Sequence, residues 1–212
     1  CRDSIYITVL PSSYDTLTFL ECDSVISPTG KVYSRTGSYN DTLVNSYGCD
    51  SVITSLVTIG DTISPTVLTQ NVTLYLNQLG QVSTSSSDLN NGSSDNCGII
   101  SYRLSDSIFD CTDVGTNTIY LIVTDRYGNI DSASAVVTVQ DTIKPTVLTQ
   151  NVTVSLDASG AGSVTVADID NGSTDNCTIA TRTLSKSTFD CSEVGANTIW
   201  LRVTDVNGNV DS

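Results

Sequence analysis

Seven cysteines and a set of closely spaced aspartates are the residues of this chain that could do chemistry. The cysteines are Cys1, Cys22, Cys49, Cys97, Cys111, Cys177 and Cys191. There is no His and no CxxC pair to build a tetrahedral zinc site, so they read as disulfides. Cys97/Cys111 and Cys177/Cys191 share a spacing of 14, which predicts one bridge within each pair, with a third joining Cys22 to Cys49. Cys1 is then odd, and its partner is expected in a module upstream. Disulfides in turn imply an oxidising, extracytoplasmic location.

The aspartates cluster in DIDNGSTDNC, with Asp168, Asp170 and Asp175, and in DLNNGSSDNC, with Asp88 and Asp95. Hard oxygen donors at alternate positions around a glycine turn are what Ca²⁺ takes. Asp141, in the linker before the second loop, and Asp205, in its last hairpin, are expected at the same end. The reading is a Ca²⁺ held where modules join. The spacing is not that of an EF-hand, and the same residues also serve Asx turns.

Catalytic chemistry finds little footing. Without His the commonest general base is gone, and the three lysines (Lys31, Lys144, Lys186) sit in no S-x-x-K context. There is no glycine-rich phosphate loop, and no cofactor is called for beyond Ca²⁺. The net charge of −14 argues against nucleic acid and against anionic membrane surfaces. No apolar run is long enough to span a bilayer. The expectation is a protein that is not an enzyme.

The elements that must position these groups are strands. Ser and Thr supply 30 residues each while Glu, Lys and Met are scarce, a composition that disfavours helix. Residues 61–132 align with 141–212 at a constant offset of 80 without a gap, with 42 of 72 positions identical. Period-2 alternation predicts strands near 145–156, 162–168, 178–184 and 196–204. Equivalents lie 80 residues earlier, with a closing strand at 133–139. Turns are expected at Gly160, Asn171-Gly172 and Val206–Asn209. Such short strands with regular turns describe tandem immunoglobulin-like β-sandwich modules, an all-β fold.

Four segments follow. Residues 1–10 read as the last strand of a truncated upstream module, because CRDSIYITVL echoes CDSVITSLVTI at 49–59. Residues 11–60 form a small disulfide-stapled β module. Residues 61–140 are the first long repeat, and 141–212 the second, without its last strand. Along NTIWLRVTD, Ile199, Leu201 and Val203 should face inward, leaving Trp200 and Arg202 outward, with Tyr120 as the counterpart of Trp200. Exposed aromatics there could stack on sugars or meet a second protomer.

The pattern DTxxPT, then DNC, then VGxNTIxLxVTDxxGN resembles the hyalin-repeat (HYR) group of immunoglobulin-like domains, over 61–140 and 141–212. Residues 11–60, with ECDSV and GCDSV, resemble short modules found beside such repeats. Both occur in giant Bacteroidota cell-surface proteins, including gliding adhesins exported by the type IX route. The resemblance implies a secreted, non-enzymatic adhesive or structural role. It also brings an Asp-Ser/Thr sequon similar to the O-glycosylation signal of that phylum, at Ser4, Thr16, Ser24, Thr42, Ser51, Thr62, Ser107, Ser132 and Thr142. The reading is a stalk or fibre segment of a large cell-surface adhesin whose partners are the neighbouring modules of its own chain. Two alternatives stay open: a subunit of a self-assembling homo-oligomeric filament, and a carbohydrate-binding module that meets surface glycans.

Overall fold

The computed structural model describes residues 14–44 and 50–212. The fold is all-β, interrupted among the described residues by two four-residue helices and two short 3-10 turns. The short module holds β1 (Tyr14–Glu21), β2 (Val25–Ile26), β3 (Val32–Tyr33), β4 (Gly37–Val44) and β5 (Asp50–Ile59). Central β5 has β1 parallel on one side and β4 antiparallel on the other. Its apolar core is thin: Val25 and Val57 are buried, and a polar cluster fills the rest. Asp41, fully buried, receives Lys31 Nζ and the Tyr33 hydroxyl, each at 2.8 Å. The Tyr33 ring stacks on Tyr39 with centroids 3.9 Å apart.

The first long repeat is a small sandwich. Its strands are β6 (Val72–Tyr75), β7 (Gln81–Ser83), β8 (Ile99–Leu104), β9 (Ile108–Asp110), β10 (Gly115–Asp125) and β11 (Ile130–Gln140). Helix α1 (Ser86–Leu89) follows β7. One sheet runs β6-β11-β10-β8 and a second pairs β7 with β9. The alternating apolar residues of β10 and β11 meet Leu76, Leu89 and Phe109 in one core with Ile119, Ala135, Val137 and Val139. That alternation is the period-2 burial of a half-covered sheet.

The second repeat holds β12 (Gly162–Ser163), α2 (Val166–Ile169), β13 (Ile179–Leu184), β14 (Thr188–Phe189), β15 (Leu201–Asp205) and β16 (Val210–Asp211). Leu201 and Val203 are buried with Val164 and Ile169, and Ile199 packs against them, as the alternation predicts. Trp200 and Arg202 face outward, Trp200 at 62% exposure, and Tyr120 is half exposed. In the first repeat β6 is sealed by parallel pairing with β11. The matching segment 152–155 is in no strand, and its Val152, Thr153 and Val154 line a groove of about 700 Å³ with Leu156, Phe189 and Ile199. By contact the chain groups into two compact units: the stretch up to Val67 with Gly92–Tyr102 and Ile122–Ser132, and Leu68–Asn91 with Arg103–Leu121 and Ala133–Ser212.

Beyond the strand expected at 145–156, which is reduced to isolated bridges at Thr146 and Thr149, two expectations need correction. The predicted strand 162–168 ends early, because Val166–Ile169 is helical, as is Ser86–Leu89. Each helix is started by an Asp at its third position accepting from the backbone N–H before it: Asp168 from Thr165 at 2.7 Å, Asp88 from Ser85 at 2.8 Å. The second correction is larger, for the bridges do not close within modules. Cys22 is bonded to Cys97 and Cys111 to Cys177, with Cα atoms 5.3 and 5.5 Å apart, and Cys191 is free and exposed. The reason is strand length. Gly98, beside Cys97, accepts from Arg126 just past one end of β10, whereas Cys111 precedes the other end. Eleven residues of strand separate the two by roughly 35 Å, far beyond the 7 Å limit of a bridge. Cys1 and Cys49 lie outside the described residues, and Cys22 is already taken by Cys97.

Candidate metal centres

The ends of β10 and β15 each place a buried aspartate, Asp125 and Asp205, at the start of a tight hairpin. Asp125 Oδ1 accepts the N–H groups of Tyr127 and Asn129 at 2.8 Å, and Asp205 Oδ1 those of Asn207 and Asn209 at 2.9 and 2.7 Å. Gly128 and Gly208 close these turns with φ of +89° and +92°, which only glycine adopts cheaply. The Asn side chain then ties the hairpin to the incoming linker. Asn129 Nδ2 donates to the Asp61 carbonyl and Asn209 Nδ2 to that of Asp141, both at 3.2 Å. Pro65 and Pro145, buried and fixed in φ, stiffen the same linkers.

The Asp-Asn-Cys loop closes each cluster. Asp95 and Asp175 accept the N–H two residues on, from Cys97 and Cys177. Asn96 Nδ2 donates to Asp61 Oδ1 at 3.2 Å, and Asn176 Nδ2 to Asp141 Oδ1 at 3.1 Å. The outcome is two equivalent triads, Asp61/Asp95/Asp125 and Asp141/Asp175/Asp205. Within each, one carboxylate oxygen per residue lies within 4.8 Å of the others.

These triads have too many acceptors and too little positive charge. Asp61 Oδ2, Asp95 Oδ2, Asp141 Oδ2, Asp175 Oδ1 and Asn176 Oδ1 are buried with no hydrogen-bond donor. Among the described residues, no ion pair reaches a triad carboxylate. Burial pushes the Asp175 carboxyl up, and the charges of Asp205 and Asp141 add to it. At Asp125 burial works the same way, but hydrogen bonds from Asn129 and Tyr127 prevail and hold it below its ordinary value. Buried like charges with orphaned oxygens and purely oxygen donors fit a hard divalent cation. Both triads qualify, and Asp141 is the sharpest member: it is 8% exposed with one oxygen unpartnered.

Of the predicted ligands, the structure brings Asp141, Asp175 and Asp205 together and places Asp95 in the other triad. Asp88, Asp168 and Asp170 belong elsewhere. The first two start α1 and α2, held ionised by Ser85 and Thr165, which donate through hydroxyl and backbone alike. Asp170 accepts from Ser173 at 2.6 Å and pairs with Arg182 at 2.8 Å, and both hold its carboxyl below the usual range. Asp61 and Asp125 were not among the expected ligands. The signal was present, since each lies 80 residues before Asp141 or Asp205.

Among the Asp-Ser/Thr positions, Thr16, Ser24, Thr42, Thr62, Ser132 and Thr142 are exposed, and Ser51 and Ser107 are half-buried. Ser4 lies outside the described residues. Among the described residues, no helix is long and apolar enough to cross a membrane. No protein-family model matches the chain, and no curated protein matches it. Among solved structures, the human desmocollin-1 ectodomain aligns with a TM-score of 0.29 and 10% identity, over 77% of this chain. The chain spans 38% of that ectodomain's length.

Proposed function

We propose that this chain is a non-catalytic, load-bearing segment of a secreted cell-surface stalk or fibre of adhesive function, built from β modules locked end to end. One observation carries the reading: both disulfides join residues of successive modules, Cys22 to Cys97 and Cys111 to Cys177. A bridge inside a module would protect only that module, whereas these bridges make the joints covalent. The carboxylate triads lie beside the same joints, and a Ca²⁺ in each would fix linker, loop and hairpin together. Asn96 O lies 3.5 Å from the Cys22 sulfur and Asn176 O 3.6 Å from that of Cys111, so both bridges hold the loop that carries a triad aspartate.

Entropically the arrangement is also the stronger one. Loops of 75 and 66 residues are worth about 4.4 kcal/mol each in the chain-entropy account, against about 3 kcal/mol for a 14-residue loop. The test is single-molecule extension with and without reductant. With bridges intact, the residues between the bonded cysteines stay hidden from the pulling force. Reduction is expected to release roughly 480 Å of additional contour. Equal extension in both conditions would remove the load-bearing role.

A further inference from the structure

Cys191 stands in the second repeat where Cys111 stands in the first, and the seat around it is built to the same plan. Asp110 and Asp190 each cap the following 3-10 turn, accepting from Thr112 and Ser192 at 2.8 Å. The adjoining turns match as well. Asn77 N–H donates to Gln81 at 3.0 Å and Asp157 N–H to Ala161 at 2.9 Å, with Gly80 and Gly160 at φ of +70° and +80°. The Cys111 sulfur lies 3.7 Å from the Gly80 carbonyl, and the Cys191 sulfur 3.8 Å from that of Gly160.

In the first repeat this seat is taken. The Asp-Asn-Cys loop of the next repeat rests on it, with Asn176 Nδ2 reaching the Asn77 carbonyl at 3.5 Å and Cys177 bonded to Cys111. A Cβ on Gly80 would lie 2.7 Å from the Asn176 carbonyl, so glycine is what lets the loop come down. Around Gly160 the same glycine, turn and cysteine are present, and only the Cys191 sulfur closes on the position.

We propose that Cys191 is a covalent linkage site that forms a disulfide with the Asn-Cys cysteine of a further long-repeat module seated on the Asp157–Ala161 turn. A second copy of this chain does not supply that partner, because its Cys97 and Cys177 are already bonded to Cys22 and Cys111. The partner is another module of this type whose loop cysteine is unbonded. In the step, two thiols lose two protons and two electrons to a disulfide oxidant of the extracytoplasmic space, which leaves as its dithiol, and one S–S bond forms. The inference goes beyond the stalk reading, and a bridge that forms but bears no load would keep the one and remove the other.

The test extends the full chain by one period, placing after Ser212 a copy of residues 133–212 in which the cysteine copied from Cys191 is replaced by serine. The added period carries the β11 sequence and then a further long repeat. After oxidative folding, unreduced material is alkylated, digested and mapped by mass spectrometry. The expected result is loss of Cys191 labelling, with its peptide recovered bonded to the peptide carrying the copy of Cys177. In the extended Cys191→Ser variant, that copied cysteine is expected to become labelled. Cys191 labelled as a free thiol while Cys111–Cys177 has formed in the same molecules would overturn the proposal, as would a bond from Cys191 to Cys1 or Cys49.

Discussion

One oxygen of Asp141 accepts from Asn176 and from the Ile143 N–H, while the other is buried without a donor beside Asp175 and Asp205. This division predicts opposite effects for one substitution. Asp141→Asn removes a repelling charge, so in chelator the variant is expected to melt no lower than the parent. In Ca²⁺ it is expected to lose much of the parent's rise in Tm, and Asp61→Asn/Asp141→Asn the whole of it. Equal Ca²⁺ shifts in parent and double variant would clear the triads of metal. Asp41 tests a different balance. Lys31, donating to it, and the Tyr33 hydroxyl hold its carboxyl well below the usual range, against the effect of burial. A depressed carboxylate contributes stability above its unfolded value of about 3.9 and loses it as pH falls below about 4. Lys31 is shifted upward, so its share is lost only in the alkaline range. Asp41→Asn is therefore expected to melt lower at neutral pH and to converge with the parent in acid, followed by the near-UV signal of Tyr33 and Tyr39. Parallel curves would refute this. At the residue scale the acidic loops were readable because Asp141, Asp175 and Asp205 recur around turns whose geometry is local. Bridge partners were not, since in a repeated chain the Cys97–Cys111 and Cys111–Cys177 pairings both satisfy the spacing, and only the length of β10 separates them.

The element that turns sequence register into a joint is the Asn77–Gln81 turn. Gly80 has φ of +70°, and a Cβ there would meet the Cys111 sulfur at 2.6 Å and the Asn176 carbonyl at 2.7 Å. Gly92 has φ of +85° with nothing within 4 Å. Alanine at either position costs about 1–2 kcal/mol for the left-handed backbone. Gly80→Ala is expected to lose roughly 1–3 kcal/mol more, because the opposing atoms include backbone that cannot swing away. Denaturant melts of the two variants measure the difference directly, and equal losses would mean that the loop does not press on the turn. Strands β8, β10 and β11 were legible from alternation over six or more residues. Helices α1 and α2 were not, because four residues are too few to show a helical period and their signal is a single Ser or Thr followed three residues later by Asp. Strands β9 and β14 escaped for the same reason, at three and two residues. The groove beside residues 152–155 gives a further test at this scale. In the first repeat, Val72 to Tyr75 pair with Val137 to Gln140. Appending residues 133–140 after Ser212 is expected to raise Tm and to slow hydrogen exchange along 152–155, while a scrambled octapeptide does neither.

Across the whole molecule, 23 carboxylates face nine basic side chains, and the triads concentrate six of those carboxylates at two places. Two kinds of cation effect follow, and they separate by valence. Screening of a chain with net charge −14 responds to ionic strength and saturates over tenths of molar salt. Occupation of the triads responds to divalent concentration alone and follows mass action, adding about 2.7 kcal/mol per site at a hundredfold excess over Kd. Calorimetry in chelator, in Ca²⁺, and in NaCl matched for ionic strength distinguishes them. The expected result is a rise in Tm in Ca²⁺ that NaCl does not reproduce. That rise is expected to persist, reduced but not abolished, after reduction of Cys22–Cys97 and Cys111–Cys177, because a bound metal would tie linker, loop and hairpin within one repeat, whereas each bridge joins residues of successive modules. If reduction abolishes it, the triads form only where the bridges hold the loops down, and the joint is one cooperative unit. If Ca²⁺ and NaCl act alike with the bridges intact, the carboxylates serve only the hydrogen bonds of linker, loop and hairpin, and the proposed stiffness rests on the disulfides alone.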